Sequence, residues 1–246
     1  MGADQTKPER ELPYSKTDAT LYYFAGRGMA DQVRWMLAYT DVSFTQRIMN
    51  TRDRFLKLVD NGQLAFGKVP LLQIDGQEVV ETQAMIRYLA KRANLTGKTA
   101  TDELYCDMIA CNILDLIKVV VAAPFKRYQN EESGKEYINT MKVAWRKAAV
   151  RLEMCIEKNS RKGKIGAYLV GDCVTYVDVL LAHVVTWFAE ECGGGILEDM
   201  PYCVQVQHNI LAKESLQKYL GGPQFYKLGD DKYCRKVSEV LGREVK

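Results

Sequence analysis

The sequence of 246 residues contains little histidine and no strong excess of charge, and these shortages exclude several classes of protein. The two histidines, His183 and His208, do not stand in a spacing typical of zinc ligands or of a catalytic triad. The 34 basic and 31 acidic residues give a formal net charge of +3, without the basic excess that nucleic-acid binding requires. We therefore expect no metal cofactor and no nucleic-acid partner.

Long hydrophobic runs are also missing. The longest candidate, Ile113 to Phe125, is interrupted by Asp115 and Lys118. It is shorter than the roughly 18 residues that a membrane span requires. The first 20 residues lack the apolar core of a secretory signal. The sequence therefore predicts no transmembrane segment and a cytoplasmic location.

Cysteine is present seven times, but no CxxC pair occurs. This excludes a dithiol redox motif and a zinc site built on paired cysteines. An odd number of cysteines without a signal peptide fits free thiols in a reducing compartment.

The first 19 residues are polar, contain two prolines and show no periodicity, which predicts a flexible tail over residues 1–19. The start Met1-Gly2 fits the N-myristoylation pattern, whereas no polybasic run supplies the second anchor that stable membrane binding needs. Two interpretations follow, an unmodified tail or a weak N-myristoyl anchor at Gly2.

Residues 20–94 alternate between strand and helix patterns. Aromatic and β-branched runs predict strands at Leu21–Phe24, Val42–Met49, Val69–Ile74 and Gln77–Val80. Helical spacing and the Asp75-Gly76 turn complete the order β-α-β-α-β-β-α. Right-handed crossovers make the first pairing parallel and the final hairpin is antiparallel. The sequence therefore predicts an α/β domain with a mixed four-stranded sheet.

The remainder of the chain lacks strand patterns of comparable strength. After a linker at residues 95–101, apolar residues recur at helical spacing, and residues 102–246 are predicted to form an all-α domain. The end of the chain carries aromatic side chains that can fold back over the rest of the molecule.

Three features of the α/β domain point to a binding site. Val69-Pro70 starts a strand that should lie inside the sheet, where proline removes a donor from the ladder and is rarely tolerated. A cis bond would turn the backbone of Val69 toward a ligand, and a rigid trans loop is the alternative. Glu81-Thr82 opens a helix, so Thr82 is either a plain N-cap or part of a site for a small zwitterion. Tyr23 ends the first strand, at the edge of the sheet where ligands bind.

Together these segments resemble the cytosolic glutathione S-transferases of the tyrosine-dependent alpha and sigma classes. In the α/β part, the resemblance is carried by Leu21–Gly28, Val33-Arg34-Trp35, Phe66–Pro70, Asp75-Gly76, Glu81–Ala84 and Tyr88-Leu89-Ala90. In the helical part it is carried by Asp107-Met108, Tyr168–Asp172 and the capping box Thr175-x-x-Asp178. It implies a thioredoxin-like domain with cis-Pro70, a helical domain that contributes the electrophile site, and a homodimer.

The resemblance also implies roles for individual residues. Tyr23 would be the catalytic hydroxyl, and Phe66 the aromatic key inserted into the partner subunit. Arg27 would support the turn after the first strand and its local field, and it is expected, like Tyr23, among the glutathione-binding residues. Asp107 would assist glutathione binding from the partner. The other expected glutathione-binding residues are Lys57, Lys68, Val69, Pro70, Glu81 and Thr82, and the expected electrophile pocket is Ala25, Met29, Phe125 and Trp187.

The sequence departs from the resembled pattern at several of these places. Met29 stands where the two classes carry a second arginine, and Val59 where the alpha class carries another. Lys57 or Arg54 must therefore serve the glycyl carboxylate of glutathione. Lys68 and Glu81 each replace a glutamine.

The resemblance implies a detoxifying transferase that conjugates glutathione, as co-substrate, to small hydrophobic electrophiles. Two alternatives remain open at this point: a glutathione-dependent isomerase of the sigma, prostaglandin synthase type, and a non-enzymatic crystallin-like or ligand-binding relative.

Overall fold

The computed structural model describes residues 18–160 and 168–243. Most of the predicted tail, with the candidate N-myristoyl site at Gly2, lies outside the described residues. Ala19, the last residue of that predicted tail, is the first residue of the sheet.

The N-terminal part follows the predicted order of strands and helices. Its elements are β1 (Ala19–Tyr23), α1 (Asp31–Tyr39), β2 (Phe44–Ile48), α2 (Arg52–Asp60), β3 (Leu71–Ile74), β4 (Gln77–Val80) and α3 (Thr82–Arg92). The strands lie in the order β2-β1-β3-β4. β1 pairs with β2 in parallel and with β3 antiparallel, and β3 and β4 form an antiparallel hairpin. The predicted mixed four-stranded sheet is confirmed.

The alternation of side chains along β1 decides which of two neighbouring tyrosines faces the interior. Leu21 and Tyr23 are buried, whereas Tyr22 points to the opposite face, where its hydroxyl donates to Gln73 Oε1 at 3.0 Å. Tyr23 lies opposite Ile48 of β2, at the carboxyl end of both parallel strands.

The C-terminal part is helical, as predicted. Its elements are α4 (Ala100–Gln129), α5 (Glu131–Ser160), α6 (Tyr176–Cys192), α7 (Pro201–Leu211), α8 (Glu214–Leu220) and α9 (Asp231–Leu241). Helix α6 is the centre of this domain, and α4, α5 and α7 pack around it. Helix α9 was not predicted. It packs against α2 and α4 and so reaches both domains.

Helix α4 is long and apolar enough, by length and composition alone, to cross a membrane. Core helices of soluble proteins pass the same test. Its buried face carries Cys106, Ala110, Ile113, Ile117 and Val120, and it packs against α5, α6 and α9.

The seven cysteines are all free thiols in the structure. Two of them, Cys111 and Cys155, are exposed, and the others are buried or partly buried.

Candidate active site

Tyr23 closes β1 with its side chain only 7% exposed. The backbone N–H of Met29 donates to its hydroxyl oxygen at 3.0 Å. Burial raises the pKa of the Tyr23 phenol above its ordinary value of 10.0, although the Met29 N–H and the charge of Arg34 oppose that rise. The phenol is therefore protonated at neutral pH and available as a hydrogen-bond donor.

Gly28 is the residue that allows the Met29 N–H to reach the Tyr23 hydroxyl. Its φ of 46° lies in the left-handed region, and a Cβ at this position would overlap the Tyr23 hydroxyl. Glycine adopts this conformation and leaves the space free, so the turn after β1 can close over the hydroxyl.

Arg34 of α1 bonds to the backbone of this turn. Its fully buried guanidinium donates to the carbonyl oxygens of Gly26 at 2.9 Å and Arg27 at 3.1 Å, and to Gln46 Oε1 at 2.8 Å. Because one guanidinium bonds both to two carbonyl groups of the turn and to Gln46 on β2, Arg34 ties the turn that carries the Met29 N–H to the sheet.

The structure places Arg27 in the junction between the domains. Its side chain is 1% exposed, its Nε donates to Asp31 Oδ2 at 2.7 Å, and it pairs with Glu190 of α6. Its guanidinium lies 4.3 Å from the ring centroid of Trp187. The charge of Arg27 is thus paired within the protein, between Asp31 and Glu190.

Asp31 and His183 complete this buried cluster. His183 Nε2 lies 3.1 Å from Asp31 Oδ2, and both side chains are fully buried. Burial alone would raise the pKa of Asp31, but Arg27, His183 and Arg34 outweigh it and hold the pKa below its ordinary value. Burial lowers the pKa of His183, so the imidazole is neutral at neutral pH.

The second edge of the site is built by the loops before β3 and α3. The Val69-Pro70 peptide bond is cis, as the resemblance implied. Glu81, with a φ of 65°, occupies the N-cap position of α3, and Thr82 is the first helical residue. The sequence-based placement of Thr82 as the N-cap was wrong by one residue, because the left-handed backbone falls on Glu81. Thr82 is buried and Glu81 is exposed.

A chain of side-chain amides connects this edge to the turn that carries Met29. Gln83 Nε2 of α3 donates to Gln32 Oε1 at 3.3 Å. Gln32 Nε2 of α1 donates in turn to the carbonyl oxygen of Met29 at 3.4 Å. The start of α3 and the Tyr23 hydroxyl therefore belong to one connected site.

Three of the expected site residues are exposed. Lys57 on α2 and Lys68 before β3 are exposed. Phe66 is 65% exposed on the loop before β3. Arg54, the alternative to Lys57, donates from Nη1 to the carbonyl oxygen of Ile48 at 3.0 Å.

Asp107 on α4 is engaged within its own chain. Its Oδ1 accepts from Arg87 Nε at 2.7 Å and from the Tyr176 hydroxyl at 2.6 Å. Its side chain is 49% exposed.

The four residues of the expected electrophile pocket differ in their exposure. Ala25 is exposed, and Met29 and Phe125 are partly buried near the turn. Trp187 is only 2% exposed and lies beneath Arg27.

Helix α9 brings a residue to the site that the sequence did not single out. Tyr233 lies with its ring on Gly26, and a Cβ on Gly26 would overlap that ring. The ring centroid is 6.0 Å from that of Phe125 on α4. The hydroxyl groups of Tyr233 and Tyr23 both lie against Gly28, at 2.9 Å or less from the position that a Cβ there would take. The apolar spacing of Tyr233, Val237 and Val240-Leu241 was the signal that could have revealed the helix.

Among residues 18–160 and 168–243, no group of three or more His, Cys, Asp or Glu side chains is arranged to hold a metal ion.

Comparison with known proteins agrees with this arrangement. A family model described as "Glutathione S-transferase, N-terminal domain" matches residues 19–91, and one described as "Glutathione S-transferase, C-terminal domain" matches residues 114–222. Glutathione S-transferase alpha-4 of Rattus norvegicus is 33% identical over 90% of this chain and 96% of its own length. Glutathione S-transferase A4 of Mus musculus is 32% identical over the same shares.

Among solved structures, the one titled "Structure of NaGST-2" superposes with a TM-score of 0.69 and 25% identity. The match covers 85% of this chain and 99% of that one.

Proposed function

The chain belongs to the glutathione S-transferase family and is a transferase that conjugates glutathione, and we propose that the hydroxyl of Tyr23 activates the thiol for this reaction. The observation that carries the proposal is the buried, protonated phenol at the end of β1, with its oxygen fixed by the Met29 N–H. Neither the isomerase nor the crystallin-like alternative is favoured, because the related proteins are named glutathione S-transferases.

In the proposed mechanism, glutathione supplies the nucleophile and Tyr23 stabilises its charged form. A free thiol has a pKa of about 8.5, so little of it is thiolate at neutral pH. The Tyr23 O–H donates to the thiolate sulfur and lowers the pKa of the bound thiol. Lowering it by about 2 pH units requires about 2.7 kcal/mol. One charge-assisted hydrogen bond contributes about 1.5–3 kcal/mol, so a single hydroxyl is nearly sufficient.

We propose that the rest of glutathione extends from Tyr23 toward the start of α3. The backbone of Val69, beside Pro70, would pair with the cysteinyl part. Glu81 and Thr82 at the positive end of α3 would hold the γ-glutamyl end. Support for this direction comes from the amide chain that connects Gln83 to Met29.

For the glycyl carboxylate, we propose Lys57 rather than Arg54. The guanidinium of Arg54 already donates to the Ile48 carbonyl oxygen, whereas the Lys57 ammonium is exposed on the next turn of α2. Lys68 would add positive charge on the same side of the site.

The electrophile would bind between the turn after β1 and the helical domain. Ala25, Met29 and Phe125 would line this region, and Tyr233 of α9 lies beside Phe125 and Gly26. These side chains suit small hydrophobic electrophiles. The buried position of Trp187 supports a role in packing under Arg27.

We also propose a cytoplasmic homodimer that works without a metal ion. The exposed ring of Phe66 is better explained by insertion between helices of a partner than by contact with solvent. Asp107 would assist glutathione in the partner's site through its Oδ2 atom, since both of its intrachain bonds use Oδ1.

Conjugation of glutathione to a standard aryl halide tests the role of Tyr23. Tyr23→Phe removes the hydroxyl and keeps the ring, so the pKa of the bound thiol should rise by about 1–2 pH units. The rate at neutral pH should fall about tenfold to a hundredfold, because each pH unit is a factor of ten in thiolate. Binding of glutathione should change much less.

Tyr22→Phe is the matched control, because Tyr22 is the adjacent tyrosine on the opposite face of β1. It should leave the pH–rate profile in place and affect mainly stability. An unshifted profile for Tyr23→Phe would remove Tyr23 from the mechanism.

A further inference from the structure

We propose that Tyr233 is a positioning residue for the conjugation reaction, whose hydroxyl donates to the oxygen of Tyr23 and so directs the proton of Tyr23 toward the thiolate. The inference rests on the proposed role of Tyr23. It assigns a function to helix α9, which the activation step described above does not use.

The placement of Tyr233 is specific. Its ring covers Gly26, where no larger residue fits, and its hydroxyl approaches Gly28 from the same side as the hydroxyl of Tyr23. A Cβ on Gly28 would be 2.9 Å from the Tyr233 oxygen and would overlap the Tyr23 oxygen. Two glycines thus make the space in which the two hydroxyl groups lie side by side.

The hydrogen-bonding capacity of a phenol explains what this contact does. A tyrosine hydroxyl accepts up to two hydrogen bonds and donates one. The Tyr23 oxygen accepts from the Met29 N–H at 3.0 Å, and in the proposal it accepts a second bond from the adjacent Tyr233 hydroxyl. With both acceptor positions in use, the single proton of Tyr23 is left for the thiolate. Each bond that a hydroxyl accepts also makes it a stronger donor.

Helix α9 is tied to both domains, which keeps Tyr233 in place. At its start, Arg127 of α4 donates to the carbonyl oxygen of Gly229 at 3.3 Å, and Asp230 caps the helix by accepting from the Tyr233 N–H at 2.8 Å. At its end, Arg52 of α2 donates to the carbonyl oxygen of Val240 at 3.2 Å. The helix is therefore positioned by residues from both sides of the site.

The other titratable groups near the two hydroxyls are not altered by the Tyr233→Phe substitution. Arg34 and Asp31 of α1 act on Tyr23, and Arg34 and Cys234 act on Tyr233. Tyr226 stacks on Arg34 with the guanidinium 4.8 Å from its ring centroid.

The experiment compares Tyr233→Phe with the parent enzyme. The ring stays on Gly26 and only the hydroxyl is lost. Loss of one neutral hydrogen bond should raise the pKa of the bound thiol by about 0.5–1 pH unit and lower the rate at neutral pH about threefold to tenfold. Thiolate absorbance of the glutathione complex and the pH–rate profile measure this shift, and KM for glutathione should stay within about twofold.

Tyr226→Phe is the control for a general loss of an aromatic hydroxyl, and it should leave the profile in place. An unshifted profile for Tyr233→Phe, or an equal shift in the control, would overturn the proposal. Tighter binding of glutathione by Tyr233→Phe would overturn it as well, because the hydroxyl would then occupy the place of the thiol.

The double variant shows whether Tyr233 acts through Tyr23. In a Tyr23→Phe background, Tyr233→Phe should change the rate by less than about twofold, because the acceptor oxygen is already gone. A further tenfold fall would mean that the Tyr233 hydroxyl bonds to a substrate directly and not to Tyr23, against the proposal. If Tyr23→Phe alone leaves the profile unshifted, the proposed function fails. If Tyr23→Phe shifts it and Tyr233→Phe does not, this inference alone fails.

Discussion

The carboxylate of Asp31 connects the two domains beside the turn that follows β1. It accepts from Arg27 at 2.7 Å and lies 3.1 Å from His183 Nε2, which is 152 residues away in the chain. All three side chains are buried. A buried charge of this kind is costly to leave without its partners, so removing one member should destabilise the junction strongly.

Replacing Asp31 should therefore have an effect that depends on pH. The neighbouring cations hold the pKa of Asp31 below its ordinary value of 3.8, so its stabilising effect is present above that value and is lost as the pH falls through the lowered pKa. Asp31→Asn should cost about 3 kcal/mol at neutral pH. The difference from the parent protein should narrow below about pH 4.

Urea unfolding at neutral and acidic pH measures this difference. Asp60→Asn, which changes an exposed carboxylate at the end of α2, is the control and should cost less than about 0.5 kcal/mol at either pH. A constant cost of Asp31→Asn at all pH values would contradict the assignment.

Lys57 and Arg54, one turn apart on α2, should differ in what they contribute. Lys57→Ala should raise KM for glutathione about threefold to tenfold and leave kcat unchanged, because it removes one charge-assisted contact made equally in the ground and transition states. Arg54→Ala should mainly lower the unfolding temperature, since Arg54 supports the carbonyl oxygen of Ile48. The opposite pattern would assign the glycyl carboxylate to Arg54.

Helices α4 and α6 both begin with a capping box, but in different surroundings. In α6, Asp178 is buried and accepts from Leu169 N, Thr175 N and Thr175 Oγ1 at 2.7–2.8 Å. In α4, Asp102 accepts from Lys98 N and Thr99 N at 3.0 Å in an exposed position. The same local motif therefore supports the protein core in one helix and only a helix end in the other.

This contrast provides a matched pair of substitutions. Asp178→Ala should lower the free energy of unfolding by about 3 kcal/mol, because it leaves buried donors without an acceptor. Asp102→Ala should cost about 1 kcal/mol, the usual value of an exposed cap. Chemical unfolding of the two variants measures the difference, and equal costs would show that the capping box of α6 acts as a helix cap alone.

Much of this arrangement could be predicted from local patterns. The strands of the sheet showed in the alternation of apolar residues and in the Asp75-Gly76 turn, and the box at Thr175 and Asp178 marked the start of α6. The packing of helix α9 could not be predicted in the same way. Its apolar residues are buried against a surface that α2 and α4 form together, and that surface exists only in the folded protein. The pairing of Asp31 with His183 likewise depends on how the two domains dock.

The whole molecule has exposed apolar side chains on both domains. Phe66 is 65% exposed on the N-terminal domain. On α4, Leu104, Tyr105 and Met108 are 51–59% exposed. Side chains of this size are better buried against a second copy than left in water, which is why we expect a homodimer.

Sedimentation at micromolar concentration should show about twice the chain mass of 28.0 kDa. Phe66→Ser should shift the equilibrium toward the single chain, by about tenfold or more in dissociation constant, because a large buried aromatic contributes at least about 1.4 kcal/mol. Leu56→Ser changes another exposed apolar residue, on α2, and should leave the dimer intact. A parent protein that sediments as one chain and still conjugates glutathione would contradict the expectation.

The contact between Gly26 and the ring of Tyr233 also limits how sequences of this kind can vary. Any side chain at position 26 would occupy the volume of that ring. The two positions lie in different domains and are separated by most of the chain, yet they share one space. Across related sequences, we expect a larger residue at position 26 to occur only together with a small residue at position 233. In a library that randomises both positions, the active members should show the same correlation.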